Sequence, residues 1–400
     1  MTGPGAGLLS GTRVLDLSTF SPVRFGTTVL ADLGADVIQV DRPPSAFQAD
    51  IPLLTSTEHP RWVWHSRNKR SLGLDLRVPG ARDLLLRMVP DVDVVIEGFA
   101  VGVAARIGLD HASLSTVNPD LVYASVTGFG QTGPYASLAG HEMNYQAMGG
   151  VTAAMAAAHD GHASLLPFPL ADSVASLYAA IAVLAGLRRR DRTGQGVYLD
   201  ISIQDAVVSM LGYPAQYYWR QGIEDPTDID EFGASPGSSP YSTADGKAVV
   251  LGAVEPWVWE RFCRSLARPD LLEAGGNTSE RTAVRAELEE IFLGRTRDEW
   301  MAASAQHDLA LTAVLTLPEV LADEHVRHRG LVSEVEHPTL GSIPQVGTPI
   351  HVDGGQLANV RFAVPGSDTA ELLQEIGMGD DEVETLRRSG AVFTPQPPRA

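Results

Sequence analysis

Two side chains that can exchange protons stand near the middle of this 400-residue chain. His141 lies in the segment Gly140–Tyr145, directly after a glycine-rich run over residues 127–134. Asp172 comes 31 residues later (172 − 141 = 31), where a long apolar helix is predicted to begin. General acid–base catalysis needs two such groups within reach of one substrate, each with a pKa that its surroundings tune. Either residue alone is more often a helix cap or a structural polar group, so the rest of the chain must decide.

The elements around this pair predict a doubly wound α/β domain of Rossmann-like pattern. Residues 12–18 form a β-branched, apolar strand, residues 22–33 a helix and residues 36–41 a second strand. A strand–helix–strand unit of about thirty residues builds a parallel sheet with a right-handed crossover. No G-x-G-x-x-G follows the first strand, so a standard dinucleotide site is not expected. The alternation continues with strands over 71–76, 92–99, 121–127 and 197–203, and with helices over 79–88 and 172–190.

A polar stretch over residues 221–240, rich in Asp, Gly, Ser and Pro, predicts a linker between two domains. Residues 1–220 would form the large α/β domain, completed by the C-terminal segment 340–400, and residues 241–339 a smaller α+β domain. A hairpin is predicted over 241–251, around an Asp245-Gly246 turn. The remaining predictions are helices over about 257–266, 281–293, 297–306, 317–328, 369–377 and 381–389, a strand pair within 332–352, and a disordered tail containing Pro395, Pro397 and Pro398.

Composition narrows the classes of protein that this chain can represent. Its net charge of −19 argues against nucleic acid as the main partner. The single cysteine, Cys263, excludes an internal disulfide and suits a reducing compartment, and no apolar secretory segment opens the chain. The longest apolar run, Leu177–Leu187, is too short to span a bilayer. We therefore expect a cytoplasmic protein with neither a membrane nor a nucleic acid as partner.

Several motifs, in order and along nearly the whole chain, resemble the family III CoA-transferase superfamily. Two of them are Asn68–Leu76 and the Gly128–Pro134 run. The others are Leu30–Val37, Asp41-Arg42-Pro43, Arg192–Gly196 and Asp245-Gly246. The resemblance implies a Rossmann-like large domain, a smaller α+β domain and an interlocked homodimer. In such a dimer each active site lies between the large domain of one chain and the small domain of the other.

Within that superfamily the chain is most similar to the α-methylacyl-CoA racemase branch. That branch carries Gly-His-Asp-x-Asn-Tyr, here Gly140–Tyr145, an Asp about thirty residues later, here Asp172, and a Glu before a Pro, here Glu255. The resemblance implies that His141 and Asp172 are the acid–base pair and that Glu255 supports the histidine. It implies epimerisation of a 2-methylacyl-CoA thioester through an enolate, with no metal or redox cofactor. The resemblance thus implies that the CoA thioester is the substrate.

The resemblance also implies a CoA site on the large domain. Three arginines, Arg42, Arg77 and Arg106, are candidate phosphate partners because guanidinium forks match phosphate geometry. A solvated surface arginine is the commoner fate for any one of them. The other residues carried over from the family pattern are Leu74, Asp75, Leu76, Gly98, Phe99, Ala100, Gly140, Glu142, Met143, Asn144 and Tyr145.

Two departures from the family pattern bear on this site. Glu142 stands where an Asp usually follows the histidine. The turn Ser21–Phe25 carries Arg24 and Phe25 where small residues are usual, so that Arg24 either narrows the CoA site or contacts a phosphate.

Two other functions stay open on the sequence alone. The same fold serves CoA-transferases, in which Asp172 would be a nucleophile that forms an acyl anhydride and then an aspartyl-CoA thioester. A non-catalytic subunit that binds acyl-CoA is the third possibility. The combination of His141 with Glu255 favours the racemase, because transferases of the superfamily generally lack the histidine.

Overall fold

The computed structural model describes residues 7–19, 21–43, 60–157, 162–229, 234–274, 280–338, 340–353, 355–356 and 361–395. The chain divides into two compact units. The first consists of Met1–Gly149, Leu166–Ser209 and Glu324–Ala400, and the second of Gly150–Leu165 and Met210–Asp323. The tail prediction at Pro397 and Pro398 lies outside the described residues.

A six-stranded parallel sheet forms the centre of the first unit, which confirms the predicted Rossmann-like α/β class. The strand order is β3-β2-β1-β4-β5-β6, so the direction of winding reverses between β1 and β4. Ligands of open α/β sheets bind outside the carboxyl ends of the strands at such a reversal. The strands are β1 (Arg13–Asp16), β2 (Asp36–Asp41), β3 (Lys69–Gly73), β4 (Val94–Glu97), β5 (Val122–Thr127) and β6 (Val197–Ser202).

The third strand begins and ends earlier than predicted. Leu74 and Asp75 belong to the predicted strand 71–76, but they lie beyond the last residue of the observed strand, although the Leu74 N–H still donates to the Asp41 carbonyl at 2.8 Å. Leu74 forms an isolated bridge with Val392, and the Asp75 N–H donates to the Ala391 carbonyl at 2.9 Å. The C-terminal segment thus pairs with both residues, and a local strand pattern does not encode that pairing.

Helices cover both faces of the sheet. On one face α1 (Ser21–Asp32) packs against α8, and α8 contacts β5 and β6. The other face carries an apolar cluster shared by α3, α17 and α18 with strand residues such as Leu15, Ile38 and Tyr123. The helices of this unit are α1, α2 (Pro60–His65), α3 (Ala81–Met88), α4 (Val103–Ile107), α5 (His111–Leu114), α6 (Glu142–Met148), α8 (Leu170–Thr193), α9 (Ile203–Met210), α16 (Glu324–His328), α17 (Thr369–Glu375) and α18 (Asp380–Ser389).

Helix α8 has 24 residues, so the apolar run predicted at Leu177–Leu187 is only its middle. By length and composition it is the one helix of the described residues that could cross a membrane. It lies against α1 and the sheet, with Ala175, Ala179 and Val183 buried, as the core helix of an α/β domain does. Gly194, in the left-handed conformation at φ 65°, ends it.

A buried polar network joins α1 to the first three strands. The Lys69 ammonium donates to the Thr27 hydroxyl at 2.8 Å and to the Arg24 carbonyl at 2.9 Å, and it lies 3.6 Å from the Asp16 carboxylate. Burial lowers the pKa of Lys69 to about 7, against the opposing effect of Asp16. The Arg24 guanidinium donates to Asp41 at 2.7 Å and is 2% exposed. Arg24 is therefore a structural residue, which corrects both roles proposed for it from the sequence.

The second unit is the smaller α+β part of the chain. An antiparallel sheet of β7 (Ser238–Ser242), β8 (Ala248–Gly252) and β9 (Leu311–Ala313) contains the predicted hairpin, with Gly246 at φ 72° in its turn. Phe262, Phe292 and Trp300 form its aromatic core. Its helices are α7 (Val151–Ala157), α10 (Gly212–Gln221), α11 (Pro256–Ser265), α12 (Pro269–Ala274), α13 (Arg281–Leu293), α14 (Arg297–His307) and α15 (Leu317–Ala322).

The observed units differ from the predicted domains at three places. Residues 150–165 and 210–220 fall in the second unit, since α7 and α10 line one apolar cavity of about 460 Å³ there. Residues 324–339 fall in the first unit. Strand β10 (Val332–His337) pairs with β11 (Gly341–Val346), and β11 accepts a hydrogen bond from Arg67 at 3.2 Å through the Val346 carbonyl.

The helix predicted over 317–328 is interrupted at Asp323, where ψ changes to 134°. The last short strands of the first unit, β12 (His351–Val352) and β13 (Gly355–Gln356), pair with each other.

The close crossing of α1 and α8 gives a test of this packing. A Cβ on Gly26 would lie 2.5 Å from the Ser176 carbonyl oxygen of α8, so Gly26→Ala must push the two helices apart. We expect a loss of about 1–3 kcal/mol in the free energy of unfolding, measured by urea titration. Gly212→Ala is the matched control, because no atom lies within 4 Å of the added Cβ at this helical glycine. Equal urea midpoints for Gly26→Ala and Gly212→Ala would contradict the close contact between α1 and α8.

Candidate active site

Two glycines and one tyrosine attach the His141 segment to the carboxyl end of β5. A Cβ on Gly128 would lie 2.3 Å from the Tyr145 hydroxyl oxygen, and a Cβ on Gly140 would lie 2.7 Å from the same ring. Only glycine leaves room for this ring at both positions. Tyr145 is buried and meets Phe129 edge to face, with ring centroids 5.3 Å apart. The packing fixes α6, which begins at Glu142, over the end of the strand.

His141 precedes α6 as its N-cap residue, with an extended backbone at φ −132°. Its N–H donates to the Asn144 side-chain oxygen at 3.0 Å, so the predicted site residue Asn144 holds the histidine backbone. His141 and Met143 are exposed, and Met143 is 49% exposed. The imidazole thus stands at an accessible helix start, where a ligand can reach it.

Asp172 is the third residue of α8, and it is partly buried. The N-cap of this helix is Pro169, whose side chain offers no acceptor for the first N–H groups. Glu142 of α6 takes that place. Its Oε1 accepts from the Ala171 N–H at 2.9 Å and its Oε2 from the Asp172 N–H at 2.7 Å. The structure therefore joins the starts of the two helices at which His141 and Asp172 lie.

The Tyr145 hydroxyl belongs to the same group of side chains. Burial raises the pKa of Tyr145 to about 12, and the charges of Asp172 and then Glu142 add to this rise. The hydroxyl keeps its proton at neutral pH, as a tyrosine ordinarily does, and can act as a hydrogen-bond donor near these carboxylates.

Glu255 lies in the second unit, separately from the other two predicted catalytic residues. It is the exposed N-cap residue of α11, which Pro256 follows at the first helical position. Its backbone carbonyl accepts from the N–H groups of Val258 and Trp259, both at 3.0 Å, and its carboxylate makes no capping hydrogen bond.

Some of the residues predicted to contact CoA around β3 are already bonded to other groups of the protein. Arg77 donates to Asp75 through Nε at 2.9 Å and through Nη2 at 2.7 Å, although its side chain stays 58% exposed. The pKa of Asp75 is held below its usual range by Arg77 and, more weakly, by Arg42. Leu74 is fully buried, and Leu76 packs at the edge of the same core. A ligand would meet Arg42 and Arg77 here rather than the leucine side chains.

The predicted contacts after β4 lie at the reversal of the strand order. Gly98 and Ala100 are exposed, and the Phe99 N–H donates to the Glu97 carboxylate at 2.6 Å. Burial raises the pKa of Glu97, which also bonds to the Ser125 hydroxyl. Arg106 is exposed on α4, accessible to an anionic ligand.

Two supporting residues, Glu97 and Gln146, were missed by the sequence analysis. Gln146 donates to Glu142 at 2.8 Å and accepts from the Leu166 N–H at 3.0 Å. Its place four residues after Glu142, which puts both side chains on one face of α6, was a signal that could have found it. In the part of the chain that the structure describes, no group of three or more His, Cys, Asp or Glu could hold a metal ion.

Comparison with known proteins agrees with the fold. The model of "CoA-transferase family III" matches residues 9–369. Human α-methylacyl-CoA racemase is 30% identical over 389 residues, which cover 94% of this chain and 96% of the relative. The alpha subunit of succinyl-CoA–L-malate CoA-transferase from Chloroflexus aurantiacus is 29% identical over 406 residues, with 97% and 94% covered.

Among solved structures, a CaiB/BaiF family protein from Brucella suis superposes with a TM-score of 0.78 at 28% identity, covering 93% of this chain and 100% of that one. This protein belongs to CoA-transferase family III. Relatives named as a racemase and as a transferase are similar to it to nearly the same degree.

The burial of Tyr145 near the Asp172 and Glu142 carboxylates gives a spectroscopic prediction. In an alkaline titration followed at 295 nm, the difference between wild type and Tyr145→Phe should show one tyrosine that ionises near pH 12 rather than about 10. In Asp172→Asn this step should move to lower pH, because removal of a nearby negative charge makes the phenolate easier to form. A step near pH 10 in the wild type would show that Tyr145 is not buried beside Asp172.

Proposed function

We propose that this protein is a racemase of 2-methylacyl-CoA thioesters. The observation that supports this best is the pairing of His141 and Asp172 at adjacent helix starts, tied through the Glu142 carboxylate to the Asp172 N–H at 2.7 Å. A 1,1-proton transfer requires two groups that can act on opposite faces of one carbon, each as base or as acid. A single nucleophile does not require the histidine.

The reaction begins when one member of the pair removes the proton from the α-carbon. The electrons of that C–H bond move toward the thioester carbonyl and give an enolate. The other member then returns a proton to the opposite face, and each turnover leaves the pair in exchanged protonation states. The thioester itself acidifies the α-hydrogen, so the proposed reaction needs no metal or redox cofactor.

We assign stabilisation of the enolate oxygen to the first turn of α6. Its first N–H groups, of Glu142 and Met143, stand beside His141 at the open start of the helix. The corresponding groups of α8 are occupied, since Ala171 and Asp172 donate to Glu142. Arg42, Arg77 and Arg106 are the proposed partners of the CoA phosphates.

The proposal includes an interlocked homodimer in which Glu255 of one chain supports His141 of the other and selects its tautomer. Apolar side chains in the middle of α8 support it, since Leu177, Tyr178 and Ile181 are 44%, 38% and 59% exposed. In the second unit Trp219 of α10 is 69% exposed. Exposed apolar groups of this size are typical of a surface that another chain covers. The buried Cys263 agrees with a cytoplasmic location.

A CoA-transferase is the second candidate, favoured by the 29% identity to a transferase subunit over 97% of this chain. There the Asp172 carboxylate would attack the thioester carbonyl and expel CoA thiolate, forming a mixed anhydride. The thiolate would then attack the aspartyl carbonyl, giving an aspartyl-CoA thioester and releasing the first acid as its carboxylate.

The two candidates differ in the behaviour of the α-proton. Incubated with a 2-methylacyl-CoA in D₂O, the wild type should incorporate deuterium at the α-carbon and lose stereochemical purity, as followed by mass spectrometry and chiral analysis. His141→Ala and Asp172→Asn should each lower the exchange rate by at least about 10²-fold, because each removes one proton carrier. His307→Ala, which alters an exposed histidine at the end of α14, is the matched control and should retain the wild-type rate.

Transfer of CoA to an added free acid without α-exchange would overturn the racemase in favour of the transferase, with a covalent adduct on Asp172. The absence of both reactions over a range of CoA esters would indicate the non-catalytic subunit instead.

A further inference from the structure

The N-terminus of α8 receives its cap from another helix. The Glu142 carboxylate binds the second and third N–H groups of α8, from 30 residues earlier in the chain, at 2.7 Å for Asp172. Gln146 strengthens the contact, since it donates to Glu142 and accepts from Leu166, on the segment that leads into α8. We propose that Glu142 is a positioning residue, which sets both the place and the proton affinity of Asp172. This inference deepens the proposed function, and it rests on a chemical role for Asp172 that both candidate reactions share.

The positional part of the inference follows from the geometry. Asp172 is joined through its own N–H to a residue that directly follows His141 in sequence. The distance between the two proton carriers is thereby set by one side chain, instead of by the segment 149–169 that joins α6 to α8 along the chain. An error of about 1 Å in such a distance can cost a catalyst about 10²-fold in rate.

The electrostatic part has two opposing contributions. The start of a long helix favours the charged form of a carboxyl in its first turn, so α8 alone would make Asp172 a weak base. Glu142 brings a second negative charge to the same helix start and uses the N–H groups that would otherwise stabilise the Asp172 carboxylate. A neighbouring like charge favours the protonated form. Glu142 therefore raises the proton affinity of Asp172, as a group that must both take and give a proton requires.

The groups around Asp172 agree with this assignment. From α6 the structure places Glu142 and Tyr145 close to it, and Tyr145 keeps its proton. From α1 the contact with α8 runs through Pro22, whose carbonyl accepts from the Ser176 hydroxyl. The arginine of α1, Arg24, donates to Asp41. Glu142 is thus the ionised side chain that the described structure binds directly to the start of α8.

Two variants separate charge from position. Glu142→Gln removes the charge and replaces one of the two accepting oxygens with an NH2 group, which cannot accept from an N–H. Glu142→Asp keeps the charge and is shorter by one methylene, so it cannot hold both N–H groups at their present distances. Asp381→Asn is the matched control, since it removes an exposed carboxylate from the first turn of another helix, α18.

The first measurement is the pKa of Asp172, from the carboxyl-carbon NMR titration of protein labelled at the aspartate γ-carbons. The Asp172 resonance is the one that disappears in Asp172→Asn. We expect Glu142→Gln to lower this pKa by about one unit, while Glu142→Asp and Asp381→Asn leave it near the wild-type value. An unchanged pKa in Glu142→Gln would overturn the electrostatic part, and this result does not depend on which reaction the protein catalyses.

The second measurement is the α-proton exchange rate at saturating and at low thioester concentration. Glu142→Gln and Glu142→Asp should each lower kcat by about tenfold or more, with KM changed by less than about twofold, because substrate binding is kept while the proton carrier is displaced. Equal kcat for Glu142→Asp and Asp381→Asn would overturn the positional part, and this comparison stands even where Glu142→Gln does not fold. A wild type without exchange would instead count against the racemase, and the Asp172 titration would still decide the inference.

Discussion

The candidate site depends on one hydrogen-bonded carboxylate that lies between two helix starts. The N-termini of α6 and α8 both carry the positive end of a helix dipole, so bringing them together is unfavourable without an anion between them. Glu142 supplies that anion, and its two oxygens accept from Ala171 and Asp172 at 2.9 and 2.7 Å. As a consequence of this contact, the helix start that follows His141 is joined to the helix start that carries Asp172.

The scaffold around that contact is built from close approaches that only small residues allow. Gly128 and Gly140 leave space for the Tyr145 ring, which holds α6 on the end of β5. Gly26 lets α1 approach the Ser176 backbone of α8. Under α1, two buried ion pairs, Lys69 with Asp16 and Arg24 with Asp41, join this helix to the sheet. The first unit thereby holds α8 through α6 on one side and through α1 on the other.

The division of the chain places the proposed proton carriers, His141 and Asp172, in one unit and Glu255, the carboxylate proposed to support His141, in the other. His141 and Asp172 belong to the first, on either side of the segment 150–165, which itself belongs to the second. Glu255 begins α11 in the second unit, with its carboxylate exposed. The proposed racemase and the alternative transferase share this framework because each proposed reaction uses Asp172. The two proposals differ in whether His141 acts on the substrate carbon.

The sequence by itself determined the class of the fold and supplied the residues proposed for the site. Hydrophobic periodicity placed α1, β2, β5 and α13 to within one or two residues, and the resemblance to a known family singled out His141, Asp172 and Glu255 as candidates. These features are local, because a strand or helix pattern and a short motif are contained in a few neighbouring residues. These features could therefore be predicted from the sequence alone.

Only the tertiary structure decided what those residues touch. Leu74 left the predicted strand because Val392, more than three hundred residues later, pairs with it. Arg24 turned into the interior because Asp41 lies there, and the unit boundary moved because α7 and α10 share one apolar cavity. Glu142 seemed from the sequence to be a CoA contact, and its bond to the start of α8 depends on the packing of two helices. Such contacts join residues that are distant along the chain, and no local pattern encodes them.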